Sequence, residues 1–466
     1  MGQQTFERAV DCPVSARATF DWHVRPGALR RLLPPWDNAR VVEGSGAAEP
    51  LEKGARTVLR VGVGPVGIDW VAEISDLQAE KTFFVDRQVS GPFASWIHRH
   101  EVASRGKSAS TLTDRIAYQL PVGPLGAIFG GRMVRTKLER MFAWRHRILL
   151  HDLEAHARAA EAGFVERTIA ITGASGLVGR SLAAFLRTGG HRVLELVRRE
   201  PRHAYEVRWD PALGTVDTDG LDGIDAIVHL AGESIFGSRW NAAKKARVVD
   251  SRVRGTRALV GAIGRLRRPP RTVVFASAIG YYGDRGEEEL SEDAPLGTGF
   301  LAETCEAWEA EAKRLPDGVR GTRMRLGVVL DPGGGALRTM LPAFRAGVGG
   351  PLGGGRQWFP WIALDDVLGA FHRALYDDDL AGPVNLVAPG EVRNAAFVKT
   401  LAGVLRRPGV LPAPRFALRA ALGRQQADEM LLASTRVRPT ALERAGFPFR
   451  YPVLEDALEH ALGLRR

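Results

Sequence analysis

The chain has 466 residues, 45% of them hydrophobic and 25% charged, ordinary globular values with length enough for two or three cores. Its formal net charge is +11, but 8 of the 64 basic residues are lysine and the arginines run along the whole chain, which is a compositional habit and not a nucleic-acid-binding stripe. Cys12 and Cys305 are too far apart for a disulfide framework or metal-ligand spacing. No run approaches the ~18 apolar residues of a membrane span, and MGQQTFERAV carries no signal pattern, so a cytoplasmic protein is expected.

The first segment opens with a strand, a proline break and a short helix in TFERAVDCPVSARATFDWHVRPGALRRLLPPW. The strand-like runs RTVLRVGVG, IDWVAEISDL, KTFFVDRQVSG, SWIHRHEVAS and STLTDRIAYQL follow, separated by turn residues and partly alternating. Val134, Leu138, Met141, Phe142, Ile148 and Leu149 then recur at helical spacing. His98 and His100 share one face of a strand. With no third ligand near in sequence, they read as core or surface polar pairing, and no metal site is expected. HDLEAHARAAEAGFVER, from 151 to 167, reads as the helix running out into a connector, which places the domain boundary there.

The stretch Thr168 to Arg199 then gives strand, glycine turn, helix and second strand, the opening unit of a dinucleotide-binding fold. Gly173 allows the turn, Gly176 lets backbone approach a pyrophosphate, and Gly179 permits close helix packing. With Ser175, Leu177 and Val178 these glycines form the expected phosphate loop, whose helix N-terminus offers free N–H groups. The second strand ends in Arg198 and Arg199 instead of an acidic residue, which favours NADP(H) over NAD(H).

Ala226 to Leu230 is a buried-strand run that brings Leu230, Ala231 and Gly232 to the edge where the cofactor would cross. The basic helical tract SRWNAAKKARVVDSRVRGTRALVGAI follows. The next strand, Val273 to Ala276, delivers Ser277 and then Tyr281 and Tyr282 to the same edge, and RGTRMRLGVVL, which carries Arg325, is another strand. From Pro412 a helical pattern stops at Pro439 and leads into AGFPFRYP. Arg436 and Arg438 in this part are candidates for an anionic substrate group.

Two resemblances organise these runs. The order of elements, with DCPV, GPFASWIHRHE and RMFAWRHR, places residues 1–158 close to the SRPBCC superfamily of START and Bet v 1-like helix-grip domains. The resemblance implies a cavity for a hydrophobic ligand, with Trp70, Phe83, Phe93, Trp96, Tyr118, Phe142 and Trp144 as lining or core. The set GASGLVGR, DAIVHLAGESI, SAIGYYGDRGEEELSED, FLAETCEAWE, GGGRQWFPWIALDDV and LLASTRVRPTALERAGFPFRYP resembles the NAD(P)-dependent epimerase-like family of extended short-chain dehydrogenases over 166–466. Its end, 412–466, is of the DUF1731 type and lies on the substrate side. The implied fold is an α/β Rossmann-type parallel sheet domain preceded by an α+β helix-grip domain.

The resemblance also implies a Ser, plus a Tyr and a Lys four residues on, in which the lysine lowers the tyrosine pKa. Ser277 fits the first. Phe300 and Thr304 fall where the Tyr and Lys would be, so the dyad is absent and Tyr281, Tyr282 and Glu303 become the acid–base candidates. The implied cofactor-binding set is the glycine loop, Arg198, Arg199, Leu230, Ala231, Gly232 and Arg325. The expected activity is NADP(H)-dependent oxidoreduction or epimerisation of a small, apolar carbonyl or hydroxyl compound. The alternative is a non-catalytic NADP(H)-binding sensor.

Overall fold

The structure, a computed structural model, describes residues 3–37, 39–42, 50–63, 66–121 and 124–465. Met1, Gly2 and Gly64, which belong to runs quoted above, lie outside the described residues. Two units result: Met1–Glu166 with Ala183–His191 and Leu462–Arg466, and Arg167–Leu182 with Arg192–Ala461.

In the first unit β1 (Gln4–Cys12), β2 (Ala39–Val41), β3 (Arg56–Val63), β4 (Val66–Gln78), β5 (Phe83–Ser90), β6 (Ser95–Ser104) and β7 (Ser110–Gln119) form one antiparallel sheet in the order β1-β7-β6-β5-β4-β3-β2. Helices α1 (Ala16–Val24) and α2 (Ala28–Arg31) lie between β1 and β2 in the chain. Alternation decides which side chains turn inward. Trp96, His98, His100 and Val102 of β6 are buried, as are Ser110, Leu112, Asp114, Ile116 and Tyr118 of β7. Helix α3 runs from Pro124 to Glu161 without a break, so the helix expected to run out within 151–167 continues to residue 161. Its Leu138 and Phe142 pack with Phe6, Trp96, Ile116 and Tyr118, and Leu149 and Leu153 pack with Phe20, Trp22, Phe84 and Leu112. The aromatic side chains predicted to line or fill this interior largely meet one another: Trp70 and Phe93 stand 5.0 and 4.8 Å from Trp96, ring centre to ring centre. His98 and His100 face inward onto acidic groups of both neighbouring strands, which supply the partners that sequence proximity did not.

In the second unit the chain continues through β8 (Thr168–Thr172), the first half of α4 (Leu177–Thr188, counted with the first unit from Ala183), β9 (Arg192–Val197), β10 (Glu206–Asp210), β11 (Thr215–Val216), β12 (Ala226–His229), α5 (Ala242–Ile263), β13 (Thr272–Ala278), β14 (Glu289–Leu290), α6 (Phe300–Ala312), β15 (Arg320–Leu326) and β16 (Val328–Leu330). It goes on through α7 (Gly335–Arg345), β17 (Trp361–Ala363), α8 (Leu364–Tyr376), β18 (Gly382–Leu386), α9 (Asn394–Leu405), a run of short helices, β19 (Arg436–Val437) and two closing helices, Thr440–Arg444 and Leu454–Ala461. Eight strands make one sheet in the order β11-β10-β9-β8-β12-β13-β15-β18, parallel throughout except at the β10–β11 hairpin. Ile169, Ile171, Ile227, Val228, Val273 and Val274 are at most 1% exposed, as strands covered on both faces require. Each such side chain contributes roughly 1.5–3 kcal/mol by leaving water. The strand order reverses between β8 and β12, and at such a switch point the loops leaving the strand ends part to form a crevice. No helix among the described residues is long and apolar enough to cross a membrane.

Candidate functional site

The crevice is built from bare backbone. After β8 the chain turns at Gly173 with φ +71°, where a side chain would be strained. A Cβ there would also lie 2.9 Å from both the Ala231 nitrogen and the Leu230 carbonyl carbon, so the two loops at the switch point touch. Gly179 is constrained from the other side, since its Cβ would stand 2.2 Å from the Gly173 oxygen and 2.9 Å from the Ala174 Cα. Gly176 is different. Its Cβ would meet only the Gly173 oxygen, at 3.2 Å, and both Ser175 and Gly176 are exposed. The first-turn N–H groups of α4, those of Leu177 and Val178 among them, have no intrahelical acceptor. An open, Cβ-free cradle in front of such donors fits an anionic pyrophosphate.

Thr172 ties the two loops together. Its hydroxyl oxygen accepts the N–H groups of Leu230 and Ala231, both at 3.1 Å. Both lone pairs are then used, so the hydroxyl proton points to Nδ1 of His229, 2.7 Å away. His229 must carry its own proton on Nε2, which is donated to Thr256 Oγ1 at 3.1 Å. Thr256 Oγ1 also accepts from Trp308 Nε1 at 2.9 Å. Burial pushes the His229 imidazole down to about 4, and this bonding leaves no acceptor for a second proton.

At the end of β9 both arginines are exposed, but they are differently engaged. Arg199 grips Glu206 of β10 with two bonds of 2.7 and 2.5 Å, and that hydrogen bonding holds the Glu206 carboxyl below its usual range. Arg198 belongs to a group of cations around Glu233. The carboxyl of Glu233 is lowered first by Lys244, 2.8 Å away, and further by the charges of Arg247 and Arg198. Arg252 donates to the Glu233 carbonyl at 2.9 Å. Lys244 and Arg247 went unmarked in the sequence because nothing separates them there from the other basic residues of α5.

Ser277, Tyr282 and Arg325 come together in one buried network. The Ser277 hydroxyl donates to Glu309 Oε1 at 2.7 Å. Arg325 meets the same carboxylate with two bonds of 2.9 Å and donates from its third nitrogen to the Tyr282 hydroxyl at 2.9 Å. Tyr282 donates to Asn385 Oδ1 at 2.6 Å. Tyr282 is fully buried, and burial pushes its phenol up to about 12. Glu309 and Asn385, the two groups that complete this network, were not among the expected site residues. Tyr281 lies on the open side of it, with its ring 3.5 Å from the Arg325 guanidinium.

Helix α6 carries the positions of the missing dyad. Phe300 packs edge-on to Trp240 at 5.0 Å, and Thr304 is buried with its hydroxyl donating back to the Phe300 carbonyl at 2.6 Å. Glu303 is exposed. The helix start is capped from far along the chain, because Glu429 accepts the Phe300 and Leu301 N–H groups at 3.2 and 2.9 Å. Gly299, with φ +107°, leaves the space that its carboxylate fills. Arg436 and Arg438 are each paired already, with Glu391 at 3.0 Å and Glu443 at 3.1 Å.

Residues 169–386 match the NAD dependent epimerase/dehydratase family, and residues 413–461 match a domain of unknown function. An epimerase family protein of Mycobacterium bovis is 42% identical over 294 residues, which cover 63% of this chain and 97% of that protein. The chain belongs to the epimerase family. A human family member, SDR39U1, solved with NADPH, is similar at 36% identity and a TM-score of 0.60, over 63% of this chain and 99% of that one. The likeness extends beyond the epimerase-family unit in one solved structure, a nucleoside-diphosphate sugar epimerase from Corynebacterium glutamicum. It is 33% identical with a TM-score of 0.79 and covers 99% of this chain and 91% of that one.

Proposed function

We propose that the second unit binds NADP(H) and uses it on a small carbonyl or hydroxyl substrate, as an oxidoreductase or epimerase-like enzyme. The observation that carries the reading is the Cβ-free cradle at Gly173, Gly176 and Gly179, beside a strand end that offers Arg198 where an NAD site would place a carboxylate. The human relative solved with NADPH supports the same choice of cofactor. The glycine loop with Ser175, Leu177 and Val178 holds the pyrophosphate. Arg198, aided by Lys244 and Arg247, holds the 2′-phosphate, and Arg199 acts indirectly by fixing Glu206. Backbone from Leu230 to Gly232 lines the crossing point.

Bound NADPH supplies a hydride, so the chain must supply or accept a proton. In this reading Ser277, Tyr282 and Arg325 are positioning groups, because their polar atoms are spent on Glu309 and Asn385. Glu303 is a solvated helix carboxylate. Tyr281 remains as the proton-transferring residue, held by Arg325 at the open edge. Nucleotide-sugar epimerisation, for which the Corynebacterium relative is named, ranks below simple reduction because Phe300 and Thr304 replace the dyad.

Fluorescence titration with NADPH and NADH tests the cofactor assignment. Selective NADPH binding should fall at least tenfold in Arg198→Ala and less in Arg199→Ala; equal binding of both cofactors by wild type and Arg198→Ala would refute it. A non-catalytic NADP(H) sensor is the second reading, favoured by the same dyad replacement. Retained NADPH binding with no turnover across a carbonyl panel selects it, whereas turnover lost in Tyr281→Phe selects the enzyme. For the first unit we propose a cytoplasmic helix-grip domain that takes a hydrophobic ligand between α3 and the sheet. Failure of the protein to take up a hydrophobic fluorescent probe, or uptake unaltered by Phe142→Ala, counts against it.

A further inference from the structure

The interior of the first unit holds a cluster of histidines and carboxylates that the proposed function does not use. Strand register assembles it: Asp86 of β5 is directly opposite His98 of β6, and His100 is opposite Asp114 of β7. His98 and His100 are 4% and 8% exposed and Asp114 is 2% exposed, so these are core groups and not a surface patch.

Each imidazole bridges two carboxylates, and the two sides of the bridge differ. Asp114 Oδ1 is hydrogen-bonded to Nε2 of His98 at 3.1 Å and lies 2.7 Å from Nδ1 of His100 without the alignment of a hydrogen bond. It also takes Nε2 of His146 from α3 at 2.8 Å. Asp86 Oδ2 stands farther off, 3.4 Å from both Nδ1 of His98 and Nε2 of His100. Charge-assisted hydrogen bonds are about 2.7–2.9 Å long, so neither of these contacts has closed into one. Two ligand atoms on a tetrahedral cation with bonds of about 2.1 Å are separated by about 3.4 Å.

Tautomers sharpen the point. Asp114 accepting from Nε2 of His98 leaves a neutral His98 with a lone pair on Nδ1, and a neutral His100 protonated on Nδ1 presents its lone pair on Nε2. Those lone pairs and the Asp86 carboxylate oxygen converge with no proton among them, all within 4.8 Å of one another. Three acceptors so close together need positive charge among them, supplied by a ring proton or by a metal ion that displaces it. Asp114 then has the role of the outer carboxylate that orients metal-bound histidines. Phe84 lies flat on His100 with ring centres 4.1 Å apart, and Phe142 meets the edge of His98 at 5.5 Å, so both rings are clamped.

We propose that Asp86, His98 and His100 bind a divalent transition-metal ion, with zinc the best match, inside the first unit. Two imidazoles and one carboxylate favour such ions over magnesium or calcium. Among the described residues no further His, Cys, Asp or Glu joins the three, so the fourth position is open to water or a small ligand. The Asp86 side chain is 19% exposed against 5% for His98, which gives the ion its route in.

The test uses tag-free, full-length protein stripped with chelator and titrated with zinc chloride, read by elemental analysis after desalting and by the melting temperature. Wild type should retain one zinc per chain and melt higher with zinc. Cobalt(II) should give the intense visible bands of a four-coordinate site. Asp86→Asn and His100→Gln should retain less than a tenth of the wild-type metal, and Asp114→Asn should weaken binding about 10–100-fold. Circular dichroism shows which variants remain folded, and Asp86→Asn, at the most exposed of the three ligands, decides the matter if His100→Gln unfolds. No zinc uptake by folded wild type, or undiminished uptake by folded Asp86→Asn, overturns the proposal and leaves protons on the histidines as the balancing charge.

Discussion

Lowering the pH should weaken the second unit through His229 alone by an amount that can be worked out. In the folded chain its imidazole is pushed down to about 4, whereas in the unfolded chain it returns to about 6.5. Between these values the unfolded state binds the extra proton, so this contribution is intact above pH 6.5 and is lost as pH falls toward 4. The loss reaches about 2 kcal/mol at pH 5 and about 3 kcal/mol near pH 4. Other groups titrate in the same window. Asp366, raised to about 7 by burial, acts with the opposite sign, because its folded form holds its proton longer. The clean measurement is therefore a difference. Urea unfolding of wild type and His229→Gln at pH 7 and pH 5 should show wild type losing about 2 kcal/mol more than the variant over that interval. Nitrogen NMR of the histidine rings should show His229 protonated on Nε2 only and not titrating down to pH 5. Equal pH slopes in the two proteins, or an Nδ1-protonated ring, would refute the assignment made from the Thr172 lone pairs.

Glu309→Gln should cost about 3–5 kcal/mol, since it leaves the Arg325 guanidinium buried without its counter-charge; a loss under 1 kcal/mol in urea unfolding would mean that water reaches Arg325. Gly179→Ala drives a methyl into the Gly173 carbonyl and should lower the melting temperature as well as abolish NADPH binding. Gly176→Ala should leave the melting temperature nearly unchanged and lose NADPH affinity alone, because its methyl would project into the open cradle. The same loss of stability in both alanine variants would contradict the geometry of the loop.

The dinucleotide unit was legible where function is local. The run from Thr168 to Arg199 holds the strand, the turn, the helix start and the strand end in one continuous piece, and Gly173 and Gly179 sit where close backbone approach demands them. Partners from distant segments were hidden. Arg199 reads as a phosphate ligand until β10 places Glu206 beside it. Ser277 and Tyr282 read as reactive until positions 309, 325 and 385 meet them in the core. The paired histidines of β6 lacked a third group in sequence because that group stands on the neighbouring strand, twelve residues before His98. The β10–β11 hairpin was also missed, since EVRWD and TV are short and separated by turn residues, and only two pairs, Trp209 opposite Val216 and Asp210 opposite Thr215, show the pairing.

The cap that Glu429 provides at Phe300 ties the start of α6 to a residue more than a hundred positions later. Recombination between family members therefore has an unequal cost along the gene. A crossover just before the terminal segment would keep every residue of the glycine cradle yet supply a foreign cap to the helix bearing positions 300 and 304. In any chimera, the last quarter of the dinucleotide unit must be inherited together with the sequence it caps.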